Sequence, residues 1–161
     1  MDDFEVRIVR LEPMRVASAH GFGTSPEGQA WDKLISWAKS KGLLEEPGAH
    51  RFFGFNNPNP SPGSPNYGYE QWMTVDDSAR PEGEVQIKEY PQGLYAVARC
   101  KGVDSIFPTW QKLVAWQEDS PHRMVNRQCL EECLSPELFL IEGGEVPFHE
   151  LVFDLYQPIA E

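Results

Sequence analysis

The chain has 161 residues, 40% of them hydrophobic, and 14 basic residues against 25 acidic ones give a formal net charge of −11. This length and apolar content suit one domain with a real core and exclude disorder as the ground state. The negative excess repels phosphate backbones and anionic lipid heads, which sets direct nucleic-acid and membrane-surface binding aside.

The first segment, Phe4 to Ala19, reads as a strand interrupted at Glu12-Pro13, because proline donates nothing to a ladder and suits a bend or an edge. Ser25-Pro26-Glu27 then announces a helix, with serine as N-cap, proline at N1 and an acid in the first turn. Trp31, Leu34, Ile35, Trp37 and Ala38 share one side of that helix, and Gly42 is placed to end it. Arg51 to Asn56 and Tyr67 to Val75 read as aromatic-rich strands around a proline-heavy loop, Asn57 to Pro65. Alternation puts Gly68, Glu70 and Trp72 on one face of the second strand and Tyr67, Tyr69 and Met73 on the other. Further on, Gly93 to Val103 reads as a strand, and a helix from about Ser105 to Glu118 follows with Asp104 as candidate N-cap and Pro108 in its first turn. Arg127 to Leu134 and Phe148 to Gln157 complete the strands, with Gly143-Gly144 in their connection.

These elements repeat. Glu5, Val6, Ile8, Trp31, Lys33, Leu34 and Trp37 recur 79 residues later as Glu84, Val85, Ile87, Trp110, Lys112, Leu113 and Trp116. A strand and a helix that recur with their spacing intact form a duplicated supersecondary unit. The expectation is an α+β chain of a single domain, residues 1–161. It is built from a strand-helix-strand-strand repeat, about 4–79 and about 83–158, with pseudo-two-fold symmetry, antiparallel sheets packed by two main helices, and a ligand groove between the halves.

Two carboxylates stand in otherwise apolar or aromatic strands: Glu70 beside Tyr69 and Trp72, and Glu131 in Cys129-Leu130-Glu131-Glu132-Cys133. An acid facing the interior costs several kcal/mol of desolvation unless matched, so each is either paired internally or awaits a partner. The plainer reading is that Glu131 and Glu132 straddle the strand and one faces water. Acid beside tryptophan and tyrosine is also the arrangement that binds delocalised cations. For the four helix tryptophans, packing against a sheet is the first explanation; Trp72 has no counterpart in the other half. Cys129 and Cys133 lie about 13 Å apart along a strand and the four histidines are scattered, so no metal is expected. No phosphate loop, dinucleotide fingerprint or nucleophile signature appears, and no cofactor is expected. The odd cysteine count, the absence of an apolar signal core in Met1 to Arg10, and the lack of any run approaching the ~20 apolar residues of a membrane span together point to a reduced, cytoplasmic protein.

Leu11-Glu12-Pro13-Met14-Arg15-Val16-Ala17, Trp31 to Trp37, Gly54-Phe55-Asn56-Asn57-Pro58 leading to Tyr67-Gly68-Tyr69-Glu70, Gly93-Leu94-Tyr95-Ala96-Val97 and Cys129-Leu130-Glu131 resemble, in order and spacing, the GyrI-like small-molecule-binding domains. The resemblance implies a central aromatic pocket for bulky, often cationic aromatic compounds. It also implies Glu131 as the contacting acid and Phe107 or Trp110 as lining; Glu70, Trp72 and Tyr69 are added from strand position. Regulators of this family carry a helix-turn-helix ahead of the effector module, and nothing precedes residue 4 here, so direct gene regulation is not the leading expectation. Three functions compete: a stand-alone binder of lipophilic, planar or cationic aromatics; a hydrolase of cyclopropane-bearing DNA-alkylating natural products, with Glu70 or Glu131 as base; and an acidic protein partner that inhibits a topoisomerase.

Overall fold

The computed structural model describes residues 4–138 and 146–161. Gly143 and Gly144, expected in a connection, lie outside the described residues. The main elements are β1 (Val6–Leu11), β2 (Met14–Gly23), α1 (Pro26–Ser40), β3 (Phe52–Asn56), β4 (Tyr67–Thr74), β5 (Gln86–Tyr90), β6 (Gly93–Lys101), α2 (Ile106–Glu118), β7 (Leu130–Cys133) and β8 (Val152–Pro158). The fold is α+β, as expected, and divides into two compact units, Met14–Tyr90 and the described parts of Met1–Pro13 with Pro91–Glu161.

In the unit Met14–Tyr90 the strands run in the order β3-β4-β2-β5, every pair antiparallel. Helix α1 lies against β2 and β4. It starts with Ser25 at the N-cap and Pro26 in its first turn, although the serine side chain makes no capping hydrogen bond. The expected apolar side buries Leu34, Ile35, Trp37 and Ala38, joined by Pro26 and Ala30, while Trp31 is half-buried and its ring lies 5.6 Å from that of Phe52. Gly42, at φ +70°, turns the chain out of the helix. Its N–H donates to the Lys39 carbonyl at 3.1 Å and that of Leu43 to the Ala38 carbonyl at 3.0 Å, the paired bonds of a Schellman ending. Tyr67 on β4 donates its hydroxyl to Glu27 at 2.6 Å, tying the sheet to the helix start.

In the other unit the order is β1-β6-β8-β7, again antiparallel throughout, with α2 against β6 and β8. Ala96, Ala98, Cys100, Leu113, Leu155 and Ile159 form its buried cluster. Asp104 is not the cap of α2: it lies in a 3-10 turn, Val103–Ser105, and Ser105 occupies the N-cap position. Two other strands are shorter than the residue pattern suggested. Arg127 stands outside β7 with its guanidinium 4.7 Å from the Tyr95 ring centroid, and Phe148 to Glu150 belong to a turn before β8.

The largest departure concerns the leading strands. Phe4 to Ala19 is not one bent strand but two, since β1 pairs with β6 whereas β2 pairs with β4 and β5. A second such pair, β5 and β6, flanks Pro91. Proline removes a donor at each break, and the chain resumes against different partners. Each repeat is therefore strand-strand-helix-strand-strand, and its first strand pairs with the main strand of the other repeat. β2 lies between β4 and β5, β6 lies between β1 and β8, and the two strands share a burial pattern in which the small residues Ala17, Ser18, Ala19, Ala96 and Ala98 are buried.

Candidate functional site

The candidate residues fall into two groups, one in each unit. In Met14–Tyr90, register places Glu70 and Trp72 of β4 on the same face as Phe53 and Phe55 of β3, Ser18 of β2, and Lys88 and Tyr90 of β5. Ala17, Phe52 and Met73 take the opposite face, and through the Phe52–Trp31 contact that face is the one against α1. The Glu70 face is aromatic. The Trp72 ring meets Phe55 edge-on and Tyr90 at a tilt, both with centroids 5.0 Å apart.

Glu70 is 4% exposed and hydrogen-bonded through both oxygens. Its Oε2 accepts from Trp72 Nε1 at 2.5 Å, Lys88 Nζ at 2.7 Å and Ser18 Oγ at 2.8 Å. Among the described residues its Oε1 accepts only from the Asn57 side-chain amide, at 3.3 Å. Burial alone raises a carboxyl, yet these hydrogen bonds and the Lys88 charge outweigh it and hold Glu70 below the usual range. It is an anchored carboxylate, not an acid waiting for a proton. Lys88 and Ser18 are not among the residues that the sequence pattern singles out, Asn57 enters there only as a loop and motif residue, and the signal for Lys88 is its parity within Gln86–Tyr90. Phe53 and Phe55 were legible as alternating aromatics in Phe52-Phe53-Gly54-Phe55.

Tyr69 stands on the other face, as alternation requires, so it does not join Glu70. Its ring lies across Gly54: a Cβ there would sit 2.2 Å from the Tyr69 hydroxyl oxygen, a space only glycine leaves open.

In the second unit, Trp110 of α2 donates its indole N–H to Glu131 Oε2 at 3.0 Å. Glu131 is half-buried and shares a strand face with Cys133, opposite Glu132. Glu132 is itself 5% exposed and accepts the Tyr156 hydroxyl at 2.6 Å, so the plain reading in which one of the two simply faces water fails. Phe107 is 69% exposed and stands apart from Trp110, which packs into the buried cluster under α2.

A cavity of about 570 Å³ lies elsewhere in Met14–Tyr90, beyond the end of α1, lined by Leu43, Glu45, His50, Thr74 and Asp76 among others and by none of the expected residues. Among the described residues no cluster of three or more His, Cys, Asp or Glu is placed to hold a metal ion, and no helix is long and apolar enough to cross a membrane.

Known proteins share this architecture. The EcmrR C-terminal domain superposes with a TM-score of 0.71 at 17% identity, covering 99% of both chains. Against the EcmrR chain in its DNA complex the TM-score is 0.70 at 16% identity, and this protein spans 58% of that longer chain. A hydrolase from Listeria innocua gives 0.68 at 11% identity over 97% of this chain and 92% of the other. SAV2435, solved bound to tetraphenylphosphonium, gives 0.55 at 11% identity over 97% and 94%. At such identities the likeness shows the fold alone. No curated protein matches the sequence. The model of one family, described as integron-associated effector binding protein (Cass2), matches residues 7–159, so the chain belongs to that family, within the GyrI-like superfamily.

Proposed function

We propose that this protein, as one functional domain over residues 7–159, binds lipophilic aromatic small molecules and that Glu70 is the polar anchor of the site. The observation that carries the reading is a buried carboxylate set among the rings of Phe55, Trp72 and Tyr90, with Oε1 engaged among the described residues only by the long Asn57 contact. Ring faces supply apolar area, and the oxygen supplies direction. A two-ring guest that buries ~150 Å² against such walls gains about 4 kcal/mol before ordering costs, which on its own corresponds to an affinity in the millimolar range. SAV2435 binding a bulky aromatic compound in the same fold supports the ligand class. The Glu131–Trp110 pair is a second acid-and-indole contact and belongs in the same test.

Hydrolysis calls for a carboxylate raised toward the working pH, and Glu70 is shifted the other way, which favours retention over turnover. Titrating 2-naphthol against the protein and following tryptophan fluorescence tests the reading. Trp72→Leu is expected to weaken binding at least tenfold and Glu70→Gln severalfold. Binding unmoved by both would remove this face from the function, and an effect confined to Glu131→Gln would transfer it to the α2 side of the second unit.

A further inference from the structure

We propose that Lys88 sets the charge preference of the Glu70 site: with its ammonium in place, the site favours neutral aromatics that donate an N–H or O–H and disfavours permanent cations. The inference rests on the reading of Glu70 as the ligand anchor. The Lys88 Nζ lies 2.7 Å from Oε2 and already neutralises the carboxylate, so an incoming cation finds no net negative charge. Oε2 is filled by three donors. Oε1 is the less engaged acceptor: its one partner among the described residues, at 3.3 Å, comes from Asn57, an exposed residue just past the end of β3.

A phenol, indole or amide that takes the place of Asn57 exchanges a long contact for a short bond to a charged acceptor and leaves Lys88 where it is. A tetra-aryl cation without any N–H has two poorer routes. Beside Lys88 it meets like charge. In place of Lys88 it strips a hydrogen bond from a buried carboxylate and donates none in return. The Lys88 side chain is 40% exposed, so replacing it leaves Glu70 held by Ser18, Trp72 and Asn57 with its charge uncompensated.

Calorimetric titrations of 2-naphthol and tetraphenylphosphonium against wild type, Lys88→Met, Lys88→Arg and the exposed-lysine control Lys101→Met test the proposal. Lys88→Met is expected to raise affinity for tetraphenylphosphonium at least tenfold and to shift 2-naphthol less than threefold, while Lys88→Arg and Lys101→Met stay within threefold of wild type for both. Should Lys88→Met not fold, Lys88→Gln, which keeps a donor to Oε2 without the charge, is expected to give the same cation gain. Equal shifts for both probes, an unmoved cation affinity, or an equal gain in Lys101→Met would overturn the charge preference and leave the aromatic site standing. If 2-naphthol binds wild type no better than it binds Trp72→Leu, the site itself fails, and this inference with it.

Discussion

Glu70 is a carboxyl that burial should neutralise, and its surroundings prevent it. Desolvation favours the protonated form, but the donors on its oxygens and the Lys88 ammonium favour the charged one, and they prevail. The consequence for stability has a definite sign. A carboxyl held in the folded state below its reference value of 4.5 contributes stability at higher pH and loses it as pH falls through the folded value. Glu70→Gln is therefore expected to cost about 1–3 kcal/mol at neutral pH, the scale of hydrogen bonds to a charged group. The share of Lys88 is discounted, since water screens an ammonium with a 40% exposed side chain. The same variant should flatten the acid limb below pH 4.5. Urea melts between pH 3 and 7 check this, and a variant that keeps the wild-type acid slope would show that Glu70 does not supply it. The shared face of Glu70 and Trp72 was legible from alternation. Its donors were not, because Ser18, Asn57 and Lys88 reach it from separations of 52, 13 and 18 residues, and no local pattern reports which side chain crosses to which strand.

Helices α1 and α2 descend from the same repeated pattern yet are seated differently. α1 buries six residues and closes on Gly42, whereas α2 buries only Thr109 and Leu113 and ends at Asp119, an acid where the helix dipole favours a base. The shared Trp-Lys-Leu spacing marks both helices, and the sequence also shows the apolar side of α1. It could not predict depth of burial, which depends on what the sheet offers beneath. Amides of α2 are accordingly expected to exchange with solvent at least tenfold faster than those of α1, and native-state hydrogen exchange measures the difference. Equal protection would mean that the half-buried Ile106, Trp110 and Trp116 hold α2 as firmly as the six buried residues hold α1. Gly42→Ala should loosen α1 by about 1 kcal/mol, because φ +70° is a left-handed conformation that a Cβ disfavours.

At the scale of the molecule, the unit of sequence and the unit of packing are offset by one strand. Residues 5 to 37 repeat 79 positions later, but β1 pairs along its length with β6, from Val6 opposite Ala98 to Leu11 opposite Gly93. β1 also brings Arg7 to within 2.9 Å of the buried Asp154 and buries Leu11, so its loss strips an edge, a charge partner and core area from the sheet of β6 and β8. Met14–Tyr90, by contrast, is contiguous and keeps all four of its strands when β1 is removed. Deleting residues 4–11 is thus expected to lower exchange protection in β6 and β8 by tenfold or more and to leave β2 and β4 nearly unchanged. If the sequence repeat were also the unit of stability, the deletion would damage β2 and β4 first, since those strands share a repeat with β1. The ladder assigns the cost to the other side, because β1 exchanges its backbone hydrogen bonds with β6 and makes none with β2.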